Sequence, residues 1–253
     1  MIQAEGLTKQ YGKVVAVHDV SFRVAGGEIF GFLGPNGAGK TTTIRLLAGL
    51  LRPTRGTATV AGFDIVAEAR SVKQRVGYLA ENPYLYPKLT GREFLQFMGG
   101  LYGVPAAPLA ARLERLLGLF ELDGKAGQLV EGYSHGMRQK LALAGTLLHQ
   151  PKVLLLDEPT SGLDPRSARV VKDLLLGLAQ RGHTVLLSTH VLEIAEQMCH
   201  RVGIIQRGEI VATGSLAELR GQTRSDGGSL EEIFLQLTGG PEAGDLAAFL
   251  SAP

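Results

Sequence analysis

The chain has 253 residues, 45% of them hydrophobic and 20% charged, with a formal net charge of +2. That length suits one large domain or two small ones, and that composition suits a globular core. The near-neutral balance excludes a global basic field of the kind that binds nucleic acid, and a single cysteine excludes an internal disulfide framework or a CxxC metal site.

Residues 1–25 contain short extended runs such as "KVVAVHDVSFRV". A turn at Gly26 and Gly27 leads into "EIFGFLG", a nearly continuous apolar run that predicts a strand buried on both faces. "TTTIRLLAGLL" reads as a helix ended by Pro53 and Gly56, and "TATVAG" as a strand. Residues 89–150 read as mainly helical. Thr90 and Glu93 form a capping box, and Leu109, Leu113, Leu116, Leu117 and Phe120 share one helical face. Another helix is expected after Ser134.

Strand and helix then alternate again: "KVLLLD", a helix with Pro165 in its first turn, "HTVLLSTH" and the helix "VLEIAEQM". "RVGIIQRGEIVATG" predicts a hairpin turning near Arg207 and Gly208. Capping boxes from Ser215 to Glu218 and from Ser229 to Glu232 predict two small helices. The linker "TRSDGG" separates them, and the tail after Gly239 is expected to be disordered. Cys199, in "AEQMCHRVG", reads as a small core residue, and a reducing compartment suits it. The opening "MIQAEGLTKQYG" lacks the basic-then-apolar pattern of a signal peptide, and no run of about 18 apolar residues occurs. Any membrane role is therefore expected through a partner.

"GPNGAGKTT" matches G-x-x-x-x-G-K-[ST] between a buried strand and a helix. Its residues are Gly34, Pro35, Asn36, Gly37, Ala38, Gly39, Lys40, Thr41 and Thr42. The glycines let backbone N–H groups converge on phosphate oxygens, Lys40 adds a point charge, and the Thr41 hydroxyl can bind Mg²⁺. In "VLLLDEPTSGLD" an apolar strand delivers Asp157 and Glu158 at its carboxyl end. Adjacent strand residues point to opposite faces, which predicts different tasks: Asp157 holding Mg²⁺, Glu158 deprotonating a water. His190 tops the next apolar strand. It reads either as an ordinary polar residue or as a donor to a γ-phosphate.

In this order the motifs resemble those of the ATP-binding cassette (ABC) family, specifically the nucleotide-binding subunit of a bacterial export-type transporter, over roughly residues 2–220. "SGLD" (residues 161–164) is similar to the family's D-loop, and "STH" to its switch-histidine loop. The resemblance gives Tyr11 the place of the aromatic that stacks on adenine; unaided, it reads as a core or surface aromatic. "YSHGM" resembles the family signature, usually LSGGQ, with His135 in place of a glycine and Met137 in place of the glutamine. Read alone, Ser134 is a helix cap. The resemblance implies that Ser134 and Gly136 cover the γ-phosphate held by another subunit. Glu81, in "YLAENPYLYPKLT", stands where the family usually has a glutamine, and a carboxylate can still ligate Mg²⁺.

The resemblance implies an α/β P-loop NTPase fold: an ABC ATPase core with a mostly parallel sheet, an N-terminal antiparallel β subdomain and a helical insertion at about residues 85–150. It divides the chain into an ATPase domain, 1–222, and a short helical extension and tail, 223–253. It implies ATP hydrolysis with Mg²⁺, a head-to-tail dimer with a second copy or a related cassette, and a separate transmembrane permease at the cytoplasmic face of the inner membrane. Tyr84 and Tyr86, in a Pro-flanked loop, are expected to dock that permease, whereas Phe94 and Phe97 read as core of the insertion. A soluble non-transport ABC ATPase and a small-molecule kinase are the rival readings. The kinase would not need "YSHGM" or "SGLD".

Overall fold

The computed structural model describes residues 1–223 and 229–239. β1 (Ile2–Tyr11) and β2 (Val14–Val24) form an antiparallel hairpin, longer than the short runs expected, with register shifts along β1. After β3 (Ile29–Leu33), residues 34–39 lead into α1 (Lys40–Leu47). This helix ends earlier than Pro53 predicts. Gly49 takes φ +65 and donates to the Leu46 carbonyl, while Leu50 N donates to Arg45 O, the double closure of a Schellman stop. β4 (Arg55–Val60) and the two-residue β5 (Phe63–Asp64) return to the first sheet, whose order is β2-β1-β4-β5. Sequence reading gave no element to the next stretch, which folds as α2 (Ala69–Arg75) and β6 (Val76–Leu79).

The helical insertion holds α3 (Gly91–Leu101), α4 (Ala106–Leu119) and α5 (His135–Leu147). Thr90 and Glu93 form the expected reciprocal cap of α3, and Leu113, Leu117 and Phe120 are buried as their spacing predicts. Phe94 is buried, but Phe97 is 40% exposed. Its ring stands edge-on to Tyr86, with centroids 5.1 Å apart, so it belongs to a surface cluster and not to the core.

The core resumes with β7 (Val153–Asp157), α6 (Pro165–Gln180), β8 (Thr184–Thr189), α7 (Leu192–Met198), and the hairpin β9 (Arg201–Gln206) and β10 (Glu209–Gly214). The second sheet runs β10-β9-β3-β8-β7-β6, parallel throughout except for the β9–β10 pair. β7 shows why these strands read as unbroken apolar runs. Leu154 and Leu156 face the insertion and α6, whereas Val153 and Leu155 face α1 and the first sheet. Both faces are covered, so the carboxyl ends of the strands are where polar groups can emerge.

α8 (Leu216–Thr223) and α9 (Leu230–Thr238) close the described chain. Leu230 and Ile233 of α9 are buried in one cluster with Leu33, Val202 and Ile204. The linker expected at 223–228 falls, apart from Thr223, outside the described residues, as does the tail beyond Gly239. Cys199 packs against this cluster, and burial pushes its thiol up to about 12.

Candidate nucleotide site

The glycine-rich turn follows directly from β3, whose five residues are all buried. Gly39 has φ +109, and a Cβ there would meet the Ala16 carbonyl, so the backbone approaches where no side chain fits. The turn is anchored from two sides. Ala38 O accepts from Gly208 N (2.9 Å), at the tip of the β9–β10 hairpin, and Thr43 N donates to Gly39 O (2.9 Å).

A cavity of about 260 Å³ opens over this turn. Residues 35–42 line it together with Ala16, Glu81, Asp157 and Glu158. Pro35, Asn36, Gly37, Ala38, Gly39, Lys40, Thr41 and Thr42 are thus brought to one concave surface, whereas Gly34, the first residue of the motif, is buried and does not line it. Lys40 is buried and donates Nζ to the carbonyls of Gly34 (2.6 Å) and Pro35 (3.2 Å). Burial lowers the pKa of its ammonium, while Glu158, Asp157 and Glu81 pull it back up.

Asp157 is 1% exposed at the end of β7. Its Oδ1 accepts from Ser188 Oγ at 2.5 Å, and its Oδ2 is a buried oxygen without a partner. A buried carboxylate oxygen is costly to leave unmade, so this one fits a site for a cation or its water. Thr41 and Glu81 line the same cavity with further oxygens suited to Mg²⁺.

Glu158 departs from expectation. Strand alternation would send it away from Asp157, but it takes φ +50, leaves the strand, and lines the same cavity. Its N–H donates to Ser188 O (3.2 Å), which holds the turn. Glu158 Oε1 lies 2.8 Å from Nδ1 of His190, whose side chain is 61% exposed. His190 therefore joins the cluster through the carboxylate.

The other expected residues lie outside this cavity. Tyr11 is exposed near the β1–β2 turn, with Lys9 Nζ 5.1 Å from its ring centroid. Ser134 caps α5, its Oγ accepting from Met137 N (3.3 Å), and Gly136 lies in that first turn. Two supporting residues escaped the sequence reading. Ser188 pairs in register with Asp157 across the parallel β7–β8 ladder, and the polar residue breaking the apolar "TVLLSTH" run was its signal. Gln139 is 1% exposed and donates to the Glu158 carbonyl (3.3 Å) from α5.

The ABC transporter family model matches residues 17–161. The daunorubicin resistance ATP-binding protein DrrA3 of Streptomyces coeruleorubidus is 42% identical over 247 residues, 98% of this chain and 76% of that protein. The solved ATP-binding subunit of an ABC transporter superposes with a TM-score of 0.89 at 32% identity, over 94% of this chain and 99% of that one. The dimeric cassette MJ0796, solved in a post-hydrolysis state with ADP and Pi, gives a TM-score of 0.78 at 25% identity, over 85% of this chain and 99% of that one. By the family match and these likenesses, this chain belongs to the ABC transporter family as an ATP-binding, ATP-hydrolysing subunit.

Proposed function

We propose that two copies of this chain, or this chain and a related cassette subunit, close head to tail over two ATP molecules. We further propose that the cycle drives export through a separate membrane permease. One observation carries the reading. The phosphate turn, Asp157 and Glu158 share one cavity, while the Ser134-capped start of α5 is exposed and does not line that cavity. Helix N-termini hold anions, so this second one suits a phosphate presented by a partner. A two-fold pair makes each chain supply a turn to one site and a helix start to the other. The dimeric state of MJ0796 and the resistance named for DrrA3 support the dimer and the export direction.

Each residue then has a task. Backbone N–H groups of residues 35–42 bind the phosphates, and Lys40 exchanges its carbonyl partners for phosphate oxygens. Tyr11 stacks on adenine, and Ser134 and Gly136 of the partner cover the γ-phosphate. Thr41, Asp157 and Glu81 hold Mg²⁺, which when bound supplies positive charge to the triphosphate. Glu158 accepts the proton of the attacking water, and His190 keeps that carboxylate oriented.

No described helix is long and apolar enough to cross a membrane, which fits peripheral attachment at the cytoplasmic face of the inner membrane. Tyr84, Tyr86 and Phe97 form an exposed aromatic cluster just past Glu81, and we assign it to the permease. We assign residues 1–222 to the ATPase domain and 223–253 to an extension whose helix α9 packs on the core. The test is Ser134→Ala in the purified chain. Turnover should fall while the single-chain affinity for ATP holds. Undiminished turnover would remove the shared site.

A further inference from the structure

His135 is the conspicuous departure from the family signature, a large ring where glycine usually stands. The structure shows what makes room for it. The ring lies directly over Gly162 of the "SGLD" loop, and a Cβ at Gly162 would overlap the ring atoms Cδ2 and Nε2. Gly162 is also in the left-handed region, φ +70. Next to this contact the two backbones nearly touch: a Cβ at Gly136 would lie 3.1 Å from the Gly162 carbonyl oxygen.

The loop under the ring is short and internally braced. Ser161 N donates to Glu158 O (3.1 Å) and Leu163 N to Thr160 O (3.2 Å). Asp164 then caps α6 by accepting from Ser167 N (2.9 Å). A shift at Gly162 therefore reaches Glu158 through one hydrogen bond and three residues. α5 grips the other end of the same loop. Gln139 lies four residues after His135, hence on the same helix face, and donates Nε2 to the carbonyls of Glu158 (3.3 Å) and Pro159 (3.4 Å). One face of α5 thus holds the loop at its root through Gln139 and at its tip through His135.

We propose that His135 is a positioning residue: seated on Gly162, its ring sets the loop that carries Glu158 and ties the phosphate-covering helix of each chain to that chain's own base. A phosphate gained or lost at the start of α5 would then be felt at the other site of the pair. The proposal deepens the shared-site reading and rests on it.

The test is a double-mutant cycle in ATP turnover by the purified chain. Gly162→Ala should lower kcat about ten-fold beside His135 but only about two-fold in a His135→Gly background, with KM for ATP moving less than about two-fold throughout. The backbone strain of alanine at φ +70 is common to both backgrounds and cancels. An equal loss in both backgrounds, or a loss confined to KM, overturns the proposal. If Gly162→Ala fails to accumulate folded, as judged by its melting curve, His135→Trp replaces it. A larger ring on an unchanged Gly162 should lower kcat several-fold, and an unchanged kcat overturns the proposal equally. Ser134→Ala in the same assay separates the two ideas. A slow Ser134→Ala without His135–Gly162 coupling rejects this inference alone, whereas wild-type turnover by Ser134→Ala rejects the shared site beneath it.

Discussion

The two helix starts assigned above to phosphate are built differently. The start of α1 is enclosed. Lys40 is buried, and Glu81, Asp157 and Glu158 arrive from the ends of β6 and β7 to face it across one cavity. The start of α5 is open, capped by its own Ser134 and bordered by the SGLD loop of its own chain. The first gathers its polar groups within one chain, and the second, in the proposed pair, would meet a phosphate only from a partner. An enclosed site owes its geometry to sheet packing, so the chain can set it alone. An exposed helix end gains function only from what is brought to it.

The comparison breaks most visibly at Glu158. Glu158→Gln should lower kcat about 1,000-fold, the scale of a lost general base, with nucleotide binding retained in a filter or fluorescence assay. Turnover at the wild-type rate would move the base elsewhere. Lys40→Ala acts on the same enclosed site but on binding, and the affinity for ATP should weaken at least about ten-fold, the scale of a charge-assisted contact of about 1.4 kcal/mol or more. Ser134→Ala, at the open site, should lower kcat about ten-fold and cost about 1 kcal/mol of stability from the lost cap, read in a urea melt. Tyr86→Arg touches neither site. It should leave the ATPase activity of the isolated chain unchanged and abolish co-purification with a membrane partner. Retained co-purification would free the aromatic cluster of that role.

The smallest effect concerns the core behind the sheet. Folding pushes the Cys199 thiol up to about 12, above its unfolded value near 8.5. The neutral thiol's contribution is whole below about pH 8.5 and is lost as pH rises towards 12, because the unfolded chain ionises first. The urea midpoint of the native chain should therefore fall further between pH 8 and pH 10 than that of Cys199→Ala. Equal falls would mean that the thiol is not held neutral.

Much of the enclosed site was legible because its signals are local. An apolar run ending in a glycine-rich turn, or in Asp157 and Glu158, marks a strand end buried on both faces, and the structure places both there. What escaped depends on distant neighbours. That both carboxylates enter one cavity follows from the left-handed turn at Glu158, which Ser188 holds from another strand. Phe97 has core-like spacing on α3, yet it is 40% exposed and its ring stands edge-on to Tyr86 of a preceding loop, a neighbour that helical spacing does not reveal. β6 was missed because four residues following a seven-residue helix carry too little periodicity to stand out. The contact of His135 with Gly162 joins positions 27 apart and has no signature in either motif alone.

The central claim is that catalysis needs a second chain over the first. Light scattering on Glu158→Gln at saturating ATP tests it most directly. The account predicts a species of twice the 26.9 kDa chain mass, returning to the single mass when Ser134→Ala is added or nucleotide is removed. A chain that stays at 26.9 kDa with its nucleotide site filled, across the micromolar range, would contradict it.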